Sequence, residues 1–422
     1  MSDSNVTDVA PSRHSVINNV ADASPKRLRL TIIVSHPIQY YAPLYRAIAA
    51  QGRIAIHVIF LSDAGSAAYQ DKGFGRQIQW DLPLLEGYDY TIVAPGLPLE
   101  GLGFWQRHHP GLLAAVERTR PDWILVHGYM GRMNWACVAW ARRYGVKVAY
   151  TSDSNIHDNH GNKAKAFLKR IIVGWFFRQV DLFLSTSDSN HTYLRHFGAS
   201  PERIRRLPFS IDARRFATGA PPPGQAREQD FVWAGKLIKI KRPEDFIAAL
   251  PLVYALAGRT IRASLVGDGP LRDDIGRLAA QLPPGCELEL AGFVNQSSMP
   301  QVLQRANTLV FTSSQEPYGL IATEAAAAGL ALVVADRIGC VGPTGIARPD
   351  ENTLIYPSGD VAALADRMAQ LLQDQALLRK MQASSREIAA DHDVTVAASM
   401  LAEHLTAQVA VTVAAGARTG EE

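Results

Sequence analysis

With 422 residues, 47% of them apolar, the chain is long enough to bury two ordinary cores, so two domains are expected. Lys and Arg total 43 against 40 Asp and Glu, scattered along the sequence, which leaves no electrostatic footprint of a nucleic-acid binder. Three widely spaced cysteines, Cys137, Cys286 and Cys340, offer no metal-ligand spacing and read as reduced, partly buried residues of a cytoplasmic protein. Residues 1–27 are polar and lack the apolar centre of a signal peptide, and no later run reaches the ~18 apolar residues of a membrane span. A disordered arm ahead of a soluble protein is the expectation.

Residues 28–34 read as a first strand and 41–50 as its helix. The loop between them, Ser35-His36-Pro37-Ile38-Gln39-Tyr40, has no Gly-x-Gly-x-x-Gly, which argues against a dinucleotide site in this half. Short β-branched runs follow at 54–60, 90–93, 123–127, 146–150 and 181–185, with helical stretches at 135–144 and 189–197. Strands alternating with helices imply a parallel sheet covered on both faces, which binds ligands at the carboxyl ends of its strands. His127 ends one such strand just before Gly128, where it can face a cleft or simply hydrogen-bond a neighbouring loop. Residues 203–209 read as a last strand. The segment 217–230, with Pro221-Pro222-Pro223-Gly224, is a linker by composition and sets the domain boundary after 216.

The second half, 231–393, restarts the pattern. A strand at 231–234 runs into Gly235-Lys236-Leu237-Ile238-Lys239-Ile240-Lys241-Arg242-Pro243 and a helix from about 244. Such crowded cations suit either a solvated surface or a bound anion above them. Ser264-Leu265-Val266-Gly267-Asp268-Gly269-Pro270-Leu271 is a strand, a tight turn and a helix start, and 289–292 lead to Phe293-Val294-Asn295 and a helix at 298–305. A strand at 308–312 and a loop precede Glu316-Pro317-Tyr318-Gly319-Leu320-Ile321-Ala322-Thr323-Glu324-Ala325, which passes into an Ala-rich helix ending near Gly329. Strand, loop and helix make an anion site, because the first N–H groups of the helix and its positive end point beyond the sheet edge. Glu316 and Glu324, eight residues apart, could lie about 10 Å from one another, one on each side of such an anion. Strands at 330–335 and 352–357, helices at 361–372 and 377–390, a helix at 394–409 that can cross back to the first domain, and a loose tail from 414 complete the chain.

The Glu316 segment, with Pro317, Tyr318, Gly319 and the small-residue run to Gly329, resembles the Glu, seven residues, Glu signature of the retaining family-four glycosyltransferases. Gly235-Lys236 with Lys241, and Gly267-Asp268-Gly269-Pro270, resemble further motifs of that family in the same order. The resemblance implies an α/β fold of the GT-B type, with two Rossmann-like doubly wound domains facing across a cleft. It implies a nucleotide diphosphate sugar as co-substrate and no cofactor, and because Lys236, Lys241 and a helix start can neutralise a diphosphate, no metal is expected. Lys236 and Lys241, with the helix start at Gly319 and Leu320, would meet the diphosphate. Glu316 would orient the sugar with Pro317 and Tyr318 beside it, Glu324 would hold the ribose, and Gly235, Asp268 and Val294 would complete the donor side. His127 would support the sugar from the first domain. Lys241, Glu316 and His127 are thus the catalytic candidates. The first loop departs from the family's glycines, which leaves His36, Gln39 and Tyr40 as acceptor-side candidates, and Phe209-Ser210 replaces the usual Asn-Gly. The activity implied is retaining transfer of a hexose-type sugar to a glycan, lipid-linked or small-molecule acceptor. A nucleotide-sugar epimerase, a sucrose-phosphate-type synthase and a non-catalytic sugar-nucleotide-binding subunit are the alternatives.

Residues 163–179 mix Lys163, Lys165, Lys169, Arg170 and Arg178 with Phe167, Leu168, Ile171, Ile172 and Trp175, which share one broad helical face, while Val173 and Phe177 fall among the charges. An ordinary core helix with a basic outer face explains most of this pattern. The other reading is peripheral contact with an anionic membrane near the acceptor side.

Overall fold

The structure is a computed structural model that describes residues 27–155 and 163–418. The arm expected over residues 1–27 therefore lies outside the described residues, except for Arg27. The first half runs β1 (Arg29–Val34), α1 (Ala42–Gln51), β2 (Ala55–Phe60), β3 (Tyr69–Asp71), β4 (Arg76–Ile78), β5 (Asp89–Ile92), α2 (Leu112–Arg118), β6 (Trp123–His127), α3 (Arg132–Arg143), β7 (Lys147–Thr151), α4 (Lys163–Arg178), β8 (Leu182–Ser185), α5 (Asp188–His196) and β9 (Ile204–Arg206). After α6 (Ala213–Ala217) the second half runs β10 (Gln229–Ala234), α7 (Pro243–Ala257), β11 (Ile261–Val266), α8 (Arg272–Ala279), β12 (Cys286–Gly292), α9 (Met299–Gln304), β13 (Ala306–Phe311), α10 (Leu320–Ala327), β14 (Ala331–Ala335), β15 (Thr353–Tyr356), α11 (Val361–Gln373), α12 (Gln375–Ala390) and α13 (Val394–Arg418).

Two parallel sheets result, one ordered β5-β2-β1-β6-β7-β8-β9 and the other β12-β11-β10-β13-β14-β15. Their strands are nearly continuous apolar runs because helices cover both faces; all five residues of β14 are buried. In each sheet the strand order reverses beside the first strand, at β1/β6 and at β10/β13, and such a reversal opens a crevice at the carboxyl ends. His36 and His127 follow or end the strands at one switch point. Lys236, Lys241 and Glu316 follow the strands at the other.

Several expectations are corrected. The strand expected over 203–209 stops at Arg206, since Pro208 has no N–H to continue the ladder. The last helix continues to Arg418 through an Ala- and Val-rich run without proline, where the sequence suggests an end at 409 and a loose tail from 414. It packs against α1, and Val394, Ala397, Leu401 and Leu405 share a core with Leu30, Ile32 and Trp123 of the first domain. In α4 the expected inner face is the outer one. Phe167, Leu168, Ile171, Ile172 and Trp175 are exposed, while Val173, Phe176 and Phe177 are buried. The rings of Phe176 and Phe177 fill the space around Tyr150, Trp135 and Phe183, at centroid distances of 4.9 to 6.0 Å, which fixes the helix with that side inward.

Candidate functional site

The second domain's switch point is built around the start of α10. Gly319, just before the helix, has φ 95°, and a Cβ there would lie 2.5 Å from Phe311 Cε1, so both backbone and space require glycine. No side chain caps this helix start and its first turn holds no acidic residue. The loop before it is pinned from two directions. Gly339 N–H donates to the Glu316 carbonyl at 3.0 Å and Cys340 N–H to that of Tyr318 at 3.1 Å. From the first domain, the Asn155 side-chain amide donates to the carbonyls of Glu316 at 2.9 Å and Pro317 at 3.2 Å.

Lys241 reaches the same point from the loop after β10. The Thr312 hydroxyl accepts from Trp233 Nε1 at 2.8 Å and donates toward the carbonyls of Lys241 at 2.7 Å and Arg242 at 2.8 Å, which ties that loop to the end of β13. Lys241 Nζ is in direct contact with Glu316 Oε2. Gly267 lets the loops after β10 and β11 touch, since a Cβ there would lie 1.8 Å from the Gly235 carbonyl oxygen, and Leu237 N–H donates to the Asp268 carbonyl at 2.9 Å. Lys236, Lys241, Glu316 and Gly319 thereby converge at one sheet edge.

Sequence reasoning missed what lies above Lys236. The β3–β4 hairpin of the first domain crosses the cleft, and both Asp71 oxygens accept from Lys236 Nζ at 3.0 Å. Burial alone would raise the Asp71 pKa, but hydrogen bonds from Lys236 and from the backbone of Phe74 and Gly73 outweigh it and hold the carboxyl below its usual range. Arg76 pairs with buried Asp268 at 3.5 Å, Arg272 joins that carboxylate at 3.3 Å, and the Phe74 and Phe293 rings meet edge to face at 5.1 Å. The only early signal was the turn chemistry of Asp71-Lys72-Gly73.

Glu324 lies one turn into α10, facing Arg215 of α6 and the Gln296 amide beside Val294; Arg215 Nη2 donates to Gln296 Oε1 at 2.8 Å. Withdrawal from water pushes its carboxyl up to about 7, against the pull of Arg215 and Gln296. Asp391-His392-Asp393, the one Asp-x-Asp run of the second half, lies at the crossover to α13, where Asp393 accepts from the N–H groups of Ala213 at 3.1 Å and Thr395 at 2.9 Å.

On the first-domain side, His127 contacts the Tyr41 ring edge-on at 4.5 Å, Tyr41 packs on Phe209 at 5.4 Å, and Phe209 stacks on Tyr318 at 5.0 Å. This ladder joins the first switch point to the start of α10, and Tyr41 and Phe209 are the members to which sequence reasoning gave no site role. Burial depresses His127 to about 3, so its imidazole is neutral and can both donate and accept. His36 is lowered to about 4 by burial and by Arg107, and Ser35 Oγ lies 2.8 Å from its Nδ1. His36 and Gln39 line a cavity of about 630 Å³ with Asp71, Trp80 and Arg107. Tyr40 instead lines a cavity of about 240 Å³ with His127, Arg107 and Asn134. The acceptor-side candidates are therefore divided between two neighbouring cavities.

Known proteins place this architecture. The family model described as Glycosyl transferases group 1 matches residues 222–388, and the Glycosyl transferase 4-like domain matches residues 37–209. Glycogen synthase of Mycobacterium tuberculosis is 28% identical over 349 residues, covering 80% of this chain and 78% of its own. D-inositol 3-phosphate glycosyltransferase of Rhodococcus opacus is 24% identical over 65% of each. Among solved structures, Anabaena HepE in complex with UDP superposes with a TM-score of 0.67 at 17% identity over 90% of this chain and 100% of its own. Sucrose-phosphate synthase of Thermosynechococcus elongatus superposes with a TM-score of 0.65 at 19% identity over 91% of this chain and 100% of its own. With the two family models following one another over most of its length on a GT-B fold, the chain belongs to the glycosyl transferases of group 1.

Proposed function

We propose that the protein transfers a hexose-type sugar, with retention at the anomeric carbon and without a metal, from a nucleotide diphosphate sugar to a glycan, lipid-linked or small-molecule acceptor. The observation that carries this reading is the convergence of Lys236, Lys241 and the uncapped start of α10 at the second switch point. Departure of the diphosphate puts negative charge there in the transition state, and preorganised cations and N–H dipoles stabilise it where it develops. Glu316 would accept from sugar hydroxyls, Glu324 from the ribose, and neutral His127 would bond the sugar from the opposite domain. Backbone groups at Val294 would meet the base, and the UDP complex of HepE favours uridine as that base. No carboxylate is assigned to attack the anomeric carbon, so the acceptor would enter on the face that the diphosphate leaves. Contact with an anionic membrane in the cytoplasm belongs to this proposal, since a lipid-linked acceptor is met there.

Incubation with UDP- and GDP-sugars in the presence of a chelator, with neutral sugars or sugar phosphates as acceptors, tests the reading through nucleotide release. Acceptor-dependent release that survives chelation is expected. A requirement for magnesium or manganese would remove the leaving-group role of the lysines, stimulation by a sugar phosphate alone would favour the sucrose-phosphate-type alternative, and isomerised donor would indicate an epimerase. Binding without turnover would leave the non-catalytic subunit.

The Asp71 contact makes a separate prediction. Asn at this position can still accept from the N–H groups of Gly73 and Phe74, at 2.8 and 3.0 Å, but no longer puts a negative charge on Lys236. Asp71→Asn should tighten UDP or GDP binding about tenfold, the size expected for one nearby like charge in a partly screened site. Calorimetry showing weaker binding would mean that Asp71 instead presents Lys236 to the donor.

A further inference from the structure

The outer side of α4 carries Phe167, Leu168, Ile171, Ile172 and Trp175, each between 46% and 67% exposed. Phe167, Ile171 and Trp175 are spaced by one turn and form a stripe, with Leu168 and Ile172 beside it. The apolar surface extends beyond the helix. Trp175 stacks on Trp135 at 5.6 Å, Trp135 meets Phe104, Phe104 meets Trp105, which stands 73% exposed, and Met130, 67% exposed, lines the cavity that holds Tyr40 and His127. Soluble monomers rarely expose contiguous apolar area of this kind without a partner.

The charge beside it has one sign. A groove of about 440 Å³ between α4 and the end of α5 is lined by Phe167 and Ile171 together with Arg170, Arg178, Arg195 and His196. Among the described residues, Arg170, Arg178 and Arg195 form no ion pair with a carboxylate, although Glu202 lies within electrostatic reach of Arg195. Lys163 and Lys165 extend the positive charge along the exposed side of α4. A second copy of this chain would bring the same positive charge against itself, which disfavours a symmetric dimer here. No described helix is long and apolar enough to cross a membrane, so a surface contact is the fitting geometry.

We propose that this face docks on an anionic membrane, with the α4 stripe and Trp105 at the boundary of headgroups and acyl chains and a lipid phosphate held in the groove by Arg170, Arg178 and Arg195. A planar guanidinium cluster matches phosphate oxygens, and each basic residue near such a surface adds a modest, salt-sensitive increment. The exposed lining residue Met130 then points the cavity of Tyr40 and His127 at the bilayer. The proposal rests on the transfer reading only for its purpose, the supply of a lipid-linked acceptor, and docking is measured without turnover.

The full chain is sedimented with phosphatidylcholine vesicles and with vesicles that also contain phosphatidylglycerol, at low and high salt. Wild type should pellet with the anionic vesicles at low salt only. Replacing Arg170, Arg178 and Arg195 together by Glu should weaken that partition about 10²-fold or more, and Ile171→Ser with Trp175→Ser should weaken it while leaving the charge unchanged. Inorganic phosphate at matched ionic strength should not displace the protein, because a free anion does not supply the apolar contact. The three arginines are exposed, so their replacement should leave melting temperature near wild type, Trp175→Ser should lower it only by loss of the stack on Trp135, and UDP or GDP affinity should match wild type in both; retained nucleotide binding separates loss of docking from failure of the donor reading. Equal pelleting with neutral vesicles, indifference to both sets of substitutions, or a dimer abolished by Trp175→Ser would overturn the proposal.

Discussion

Lys241→Ala should lower kcat for sugar transfer by about 10²-fold, roughly 2.7 kcal/mol of transition-state stabilisation, with a much smaller change in KM. The split follows from where the charge is used. A cation at the departing diphosphate is worth most when the bond to the sugar is breaking, so its removal affects the chemical step more than the ground-state complex. The contact between Lys241 and Glu316 adds a check. Alanine at 241 leaves the Glu316 carboxylate without this partner at a partly buried position, which alone could disturb the loop. Glu316→Gln keeps the shape and removes that charge, so the double substitution should recover stability but not rate. A fall in KM-dependent binding alone, with kcat preserved in Lys241→Ala, would move Lys241 out of the leaving-group role.

The second large effect concerns Glu324. Its carboxyl is pushed from 4.5 up to about 7 in the ligand-free protein. An acid raised in this way favours the protonated folded form, so its contribution to stability is fully present below about 4.5 and is lost as pH rises toward 7. Nucleotide binding has the opposite sign. An ionised carboxylate is the better acceptor for two ribose hydroxyls, so affinity for a nucleotide sugar should rise with pH through about 7 and then level off. The nucleotide sugar is the suitable ligand because its diphosphate, unlike that of a free nucleoside diphosphate, has no ionisation in this range. Glu324→Gln should flatten the profile, and Glu324→Ala should weaken binding roughly 10- to 100-fold with little effect on the rate of the bound donor. An unaltered affinity in Glu324→Ala would end the ribose assignment.

The sequence made some of this legible because local chemistry and topology agree there. Gly319 must be glycine for backbone and packing alike, β14 is buried throughout, and the Gly267 turn exists for close approach of two loops; each leaves a mark on residue type and spacing. Other features depend on contacts far apart in the chain. Asp71 meets Lys236 across 165 residues, Asn155 holds Glu316 across 161, and Phe209 reaches Tyr318 from the end of the first domain. No periodicity announces such pairs. The α4 helix shows the limit of reading faces from hydrophobicity: its five-residue apolar face looks like core, yet the aromatic cavity lined by Tyr150 and Phe183 takes Phe176 and Phe177 instead.

A crystal structure of the protein with UDP bound tests the central assignment most directly. The account predicts that the diphosphate lies over the N–H groups at Gly319 and Leu320, within reach of Lys236 and Lys241, with Asp71 displaced from Lys236 and the ribose hydroxyls on Glu324. A diphosphate bound elsewhere, with Asp71 still on Lys236 and Glu324 facing no ribose, would contradict it.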